Sequence, residues 1–124
     1  MNYLKAFGVA MLLFSTPALA EADAALGAKI FNKCKTCHEN EKGVNRVGPT
    51  LKGVVGRKTA SVEGFKYSEA MAKKGAEGQI WDEATLTSYI TDPKAFIAGN
   101  KMAFPGIKKP DEVANLIAFL KTKP

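Results

Sequence analysis

Cys34-Lys35-Thr36-Cys37-His38 is the stretch from which the rest of the chain has to be read, because it holds both cysteines and the only histidine of the 124-residue sequence. Four chemistries use two thiols at this spacing. A disulfide would close so small a loop that it constrains the unfolded chain little, and it leaves His38 without a purpose. A thioredoxin-type dithiol opens a helix in a βαβ unit, and no strand alternation accompanies the motif here. A structural zinc needs four ligands, and two cysteines with one histidine fall one short, with no second cluster in the chain. Covalent haem attachment gives every fixed residue a task. The two thiols add across the two vinyl groups of one porphyrin, and the histidine after the second cysteine is held under the iron as proximal ligand. Cys34 and Cys37 are therefore the expected attachment points of one haem c, and His38 an expected iron ligand.

With no second histidine to join His38, a bis-histidine iron is excluded, and the sixth position falls to methionine, lysine, water or nothing. Two methionines lie beyond residue 20. Met71 sits in a short helical run and reads as a core filler. Met102 sits in Gly99-Asn100-Lys101-Met102, flanked by glycine and proline turn residues that can hold a side chain at a fixed place. It reads as the thioether ligand, with plain burial as the alternative. An iron with both axial positions filled has no open site for substrate, so the expected chemistry is outer-sphere one-electron transfer by a carrier that is not an enzyme. A thioether favours the reduced metal, and an apolar surround penalises the charge of the oxidised one, so both raise the potential. A vacant or labile sixth site would suit a haem enzyme, such as a peroxidase, or a sensor instead.

Outward from the motif, Leu26, Ile30 and Phe31 with Asp23 as N-cap predict a helix over 23–36 that runs into Cys34. From Glu39 to Gly64 the chain is rich in Gly, Asn, Lys and Val without a sustained period. So long an irregular segment is unusual in a compact domain unless something other than secondary structure organises it, as a large prosthetic group would. A short helix is expected from Tyr67 to Lys74, ended by Gly75, and a better one from Asp82 to Thr91, stopped by Asp92-Pro93. After a further irregular stretch, Pro110 opens a last helix, with Asp111 and Glu112 complementing its N-terminus. Val113, Leu116, Ile117 and Leu120 share one face of it. The expectation is an all-α domain with long loops.

The first twenty residues have the layout of an export signal: Lys5, the apolar run Ala6 to Phe14, and the small-x-small site Ala18-Leu19-Ala20. That run is far shorter than the roughly 20 apolar residues a spanning helix needs. Residues 1–20 are thus expected to be a cleaved signal peptide, and residues 21–124 one domain of the exported protein. Loss of Lys5 leaves 17 basic residues against 12 acidic ones, a net charge of +5. Only Arg46 and Arg57 are arginines, and lysine is a hydrated point charge suited to transient docking. No basic stretch interleaved with aromatics appears, and no nucleic-acid partner is expected.

These features together resemble the class I cytochromes c, of the mitochondrial type and its bacterial periplasmic relatives. The matching segments are Cys34 to His38, Gly48-Pro49-Thr50-Leu51, Gly56-Arg57-Lys58-Thr59, Gly64-Phe65-Lys66-Tyr67, Trp81, Tyr89, Lys101-Met102 with Phe104, and the helix from Leu116 to Leu120. The resemblance implies a small single-domain fold of three main helices, short helices and long loops wrapped around one haem. It implies that the carbonyl of Pro49 accepts a hydrogen bond from His38, that Gly27 and Phe31 cross Leu116 and Phe119, and that Arg57, Tyr67 and Trp81 point at the haem propionates. Asn100 stands where the mitochondrial pattern has a propionate-bonding threonine and, by that resemblance, is expected to keep a polar partner for the cofactor, while Met71 stands where the pattern has a buried asparagine. Lys35, Lys94, Lys101, Lys108 and Lys109 match positions ringing the exposed haem edge, with Lys42 and Lys73 away from it. The partners so implied are a membrane quinol-oxidising cytochrome complex as donor and a terminal oxidase, photosynthetic reaction centre or other periplasmic redox protein as acceptor. A periplasmic monomer is the implied working form.

Overall fold

The computed structural model describes residues 8–10 and 21–124, so Lys5, most of the apolar run and the Ala18-Leu19-Ala20 site lie outside the described residues. Among the described residues five helices follow in order: α1 (Ala24–Phe31), α2 (Glu69–Ala76), α3 (Glu83–Thr91), α4 (Pro93–Phe96) and α5 (Pro110–Lys121). Among the described residues the only β-type pairing is an isolated bridge between Lys58 and Ile80. None of these helices is long and apolar enough to cross a membrane.

The frame is the crossing of α1 and α5, the most extensive helix contact among the described residues. It depends on Gly27, where an added Cβ would lie 1.9 Å from the Asn115 carbonyl oxygen. Backbones that close let Phe31 bury almost completely against Phe119, with ring centroids 5.3 Å apart. Burying one such aromatic is worth about 1.5–3 kcal/mol. Asp23 works twice at this end. Its carboxylate accepts from the Ala25 and Leu26 amides as an N-cap, and its own N–H donates to Asn115 Oδ1 at 2.8 Å. Val113, Leu116, Ile117 and Leu120 bury the expected face of α5, which α3 also covers. Leu26, by contrast, is largely exposed.

Several element ends differ from expectation for local reasons. α1 stops at Phe31, and the chain reaches Cys34 through tightened turns in which Lys33 N–H bonds Ile30 O and Cys34 N–H bonds Phe31 O. The second helix starts at Glu69 and not Tyr67, because the Ser68 hydroxyl caps the Met71 amide. It also runs through Gly75, which is buried against Thr59 with no room for a Cβ, and ends only before Gly78 at φ +89°. The expected stop at Asp92-Pro93 holds for α3, yet the same Asp92 opens the short α4 by accepting from the Ala95 amide.

The long segment from Glu39 to Gly64 has no helix, as expected, and is held instead by side chains bonded to backbone. The Glu39 carboxylate accepts from the Glu41, Lys42 and Val44 amides and from the Thr50 hydroxyl. Asn45 ties the Thr50 amide to the Glu63 carbonyl. These bonds hold the Glu39 carboxyl well down, at about 2, the Thr50 hydroxyl being the largest cause.

Candidate functional site

Helices and loops together enclose one large apolar cavity of about 710 Å³, inside the range of pockets that hold small-molecule cofactors. Phe31, Leu116 and Leu120 form part of its wall from the α1–α5 crossing, and Leu86, Tyr89 and Ile90 another part from α3. The remaining wall comes from the motif turn, the Val47–Pro49 loop, the approach to α2 and the segment from Lys101 to Phe104.

The motif turn is fixed by its own backbone. Cys37 N–H and His38 N–H both bond the Cys34 carbonyl, at 3.1 and 2.9 Å. The Gly48 amide holds the Cys37 carbonyl, and Arg46 reaches across to the carbonyl of Lys35. Cys34 and Cys37 are free, half-buried thiols on the cavity wall. Burial pushes the Cys34 thiol up to about 11, against the pull of Lys33. A thiol raised in this way is a poor redox nucleophile at neutral pH.

His38 also lines the cavity, and its Nδ1 lies 2.7 Å from the Pro49 carbonyl oxygen. A carbonyl only accepts, so Nδ1 carries the proton and Nε2 keeps its lone pair. Burial lowers the His38 pKa from its ordinary value, more than the bond to Pro49 raises it, so the ring is neutral and able to ligate a metal. Gly48 is the floor under this ring. A Cβ there would sit 2.2 Å from His38 Cε1, so the imidazole can occupy its place only over a glycine.

Arg57, Tyr67 and Trp81 all reach the cavity wall. Arg57 Nη1 donates to the Thr50 and Lys52 carbonyls, at 2.8 and 3.3 Å. Its Nε is buried with no protein partner, one of two such side-chain atoms among the described residues, and burial lowers the guanidinium pKa. The other, Asn40 Nδ2, is not on the cavity wall. Tyr67 accepts from the Val62 amide at 3.0 Å, which leaves its own hydroxyl proton to give. Trp81 is buried against Tyr89 with its backbone pinned to Gly56 and Arg57.

Both candidate methionines line the cavity. Met102 Sδ lies 3.9 Å from the hydroxyl of Tyr89, a buried phenol whose pKa burial pushes up to about 12. Asn100 is not part of the wall. Its side chain bonds the Pro93 and Ile97 carbonyls and the Met102 amide. Tyr89 is a cavity residue that sequence reasoning left out of the site, and its helical register with Leu86 could have found it. Glu39 is not on the wall, but its carboxylate braces the loop that brings Pro49 to it, and nothing local marks that role.

The cytochrome c family profile matches residues 24–123, which is nearly the whole of the enclosing fold. The chain belongs to the cytochrome c family. It is 52% identical to cytochrome c2 iso-2 of Magnetospirillum molischianum over 101 residues, covering 82% of this chain and 98% of that one. It is 42% identical to cytochrome c2 of Rhodomicrobium vannielii, over 97% of this chain and 98% of the relative. The solved structure of cytochrome cH from Methylobacterium extorquens overlays with a TM-score of 0.75 at 50% identity, covering 82% of this chain and all of that one. Membership makes this chain a monohaem electron carrier with one covalently bound haem c. The residues present fit that group: two thiols in one turn of the wall, a neutral imidazole over a glycine floor, an apolar enclosure and an unpartnered buried guanidinium N–H.

Proposed function

We propose that this cytochrome is an exported, periplasmic one-electron carrier with His38 and Met102 as its axial ligands, and that it is not an enzyme. The observation that carries the reading is the convergence of Cys34, Cys37, His38 and Met102 on one apolar cavity. Haem supplies the exchange of one electron between ferrous and ferric iron. Cys34 and Cys37 hold the porphyrin through thioethers. Pro49 orients the His38 ring, and Tyr89 lies over the Met102 sulfur. Arg57, Tyr67 and Trp81 serve the propionates, because buried carboxylates without donors would be costly. The apolar wall excludes water, which raises the potential in the same direction as the thioether.

Residues 1–20 serve as the cleaved export signal. The working form is a monomer that meets its partners transiently: a quinol-oxidising membrane complex as donor and an oxidase, reaction centre or other periplasmic acceptor. Lys35, Lys94, Lys101 and Lys109 are exposed and in no ion pair within 4 Å among the described residues, which suits steering toward an acidic face. Lys108 is the least available of the set, since its Nζ donates to the Thr91 carbonyl at 2.7 Å and lies 3.8 Å from Asp92.

Replacing Met102 by alanine tests the axial assignment. The haem should stay attached, the reduction potential should fall, and carbon monoxide should bind readily. An unchanged potential would remove Met102 from the site and turn attention to Met71, the other methionine of the cavity.

A further inference from the structure

Asn100 is half-buried, and every polar position of its side chain is engaged. Nδ2 donates one hydrogen to the Pro93 carbonyl at 2.9 Å and the other to the Ile97 carbonyl at 2.8 Å. Oδ1 accepts from the Met102 N–H at 2.8 Å, and the Tyr89 hydroxyl lies 3.5 Å from it. The amide can face only one way, since carbonyls cannot donate and a backbone N–H cannot accept. Its anchors are stiff, as both Pro93 and Ile97 are buried. The Met102 N–H has no other partner among the described residues. The same Tyr89 hydroxyl that meets Asn100 Oδ1 is the one 3.9 Å from Met102 Sδ.

We propose that Asn100 is a positioning residue for the iron ligand: it pins the Met102 backbone to α4 beside the Tyr89 hydroxyl, so that the thioether is presented at a preset place. The inference rests on the reading of Met102 as axial ligand. A preset ligand loses little freedom on bonding and competes better against ligands from solution. Threonine, the residue of the mitochondrial pattern, has one hydroxyl and could not satisfy two carbonyls while accepting from an amide. Aspartate could accept from Met102 but would set a carboxylate against two carbonyl oxygens. An asparagine in this place therefore trades contact with the cofactor for control of its ligand.

The test titrates the ferric holoprotein with imidazole, which displaces a weakly held thioether, and follows the loss of the ferric thioether absorption band. Parent, Asn100→Ala, Asn100→Thr and Met102→Ala are compared, with reduction potential and its pH dependence measured alongside. Asn100→Ala should keep its haem and its helical circular dichroism while binding imidazole about tenfold more tightly, which corresponds to about 1.4 kcal/mol. Asn100→Thr should fall between it and the parent. Parental imidazole affinity in Asn100→Ala, with Met102→Ala clearly tighter, overturns the positioning role and leaves the ligand assignment standing. If that parental affinity comes with an altered pH dependence of the potential, Asn100 serves a propionate. A parent without the thioether band that matches Met102→Ala overturns the ligand assignment and this inference with it. Should the alanine variant fail to mature, parental affinity in Asn100→Thr overturns the proposal equally.

Discussion

Gly27→Ala should destabilise the holoprotein far more than a single methyl suggests, although alanine is the better helix former. The new Cβ would stand 1.9 Å from Asn115 O, 2.6 Å from Asn115 C and 2.8 Å from Phe119 Cβ. An ordinary contact begins near 3.4 Å, so α1 and α5 must separate by about 1.5 Å, and two of the three obstacles are backbone atoms that cannot rotate away. Overpacking of this kind costs about 1–3 kcal/mol. Separation also weakens the Phe31–Phe119 pair, worth about 0.5–1.5 kcal/mol beyond its area, and stretches the Asp23–Asn115 bond, worth a similar amount. Helix propensity returns roughly 1 kcal/mol. The net expectation is a loss of about 1–5 kcal/mol, centred near about 3. At about 4–8 °C per kcal/mol for a domain this small, a loss of about 3 kcal/mol lowers the midpoint by about 12–24 °C. Thermal and urea unfolding followed by far-ultraviolet circular dichroism would read it, with haem attached in both proteins. A variant as stable as its parent would refute the close crossing, because no flexible group is present to absorb the clash.

Glu39 holds its folded pKa at about 2, chiefly through the Thr50 hydroxyl, below the roughly 4.3 of an unfolded glutamate. Its contribution is therefore complete above that unfolded value and lost as pH falls toward 2, so Glu39→Gln should flatten the acid limb of stability against pH in urea titrations. Haem removal should abolish the fold: a Cys34→Ala, Cys37→Ala product should show no cooperative helical transition by circular dichroism, since about 104 residues around an unfilled cavity have too little core. Electron-transfer rate with the native partner should fall as the Debye length shrinks from about 30 Å at 0.01 M salt to about 8 Å at physiological strength. Lys35→Glu should slow association more than Lys73→Glu, whereas equal losses would mean that net charge alone steers.

What could be read in the sequence was whatever chemistry packs into adjacent residues. Cys34 to His38 declares its use because the two thiols and the imidazole must serve one porphyrin, and α5 declares itself because Pro110, its two acids and its apolar face fall in order. Ends decided by tertiary contact were harder. Gly75 looks like a stop, but it is a helical residue chosen for its lack of a Cβ against Thr59. Asp92-Pro93 looks like a boundary and is one, yet the residue whose backbone N–H closes one helix on Ser88 caps the next with its carboxylate. Asn100 was the hardest, since its partners lie seven, three and two positions away in a segment without a period.

The long loops also explain how so little regular structure can hold a cavity of fixed shape. A buried loop normally leaves backbone groups unpaired, and here side chains take the place of a ladder. Glu39 serves three amides and a hydroxyl, Asn45 an amide and a carbonyl, Arg57 two carbonyls, and Asn100 two carbonyls and an amide. Each of these groups is tied inside the protein, so the loops that carry the wall do not need to rewire when the cofactor is held. Arg57 Nε is the exception on the cavity wall, a donor left over where an anionic group is expected. A wall whose dipoles are fixed in advance has little to reorganise when the charge inside it changes by one. That is the property a one-electron carrier needs, and here it comes from a few well-placed amides and carboxylates in the loops more than from the helices.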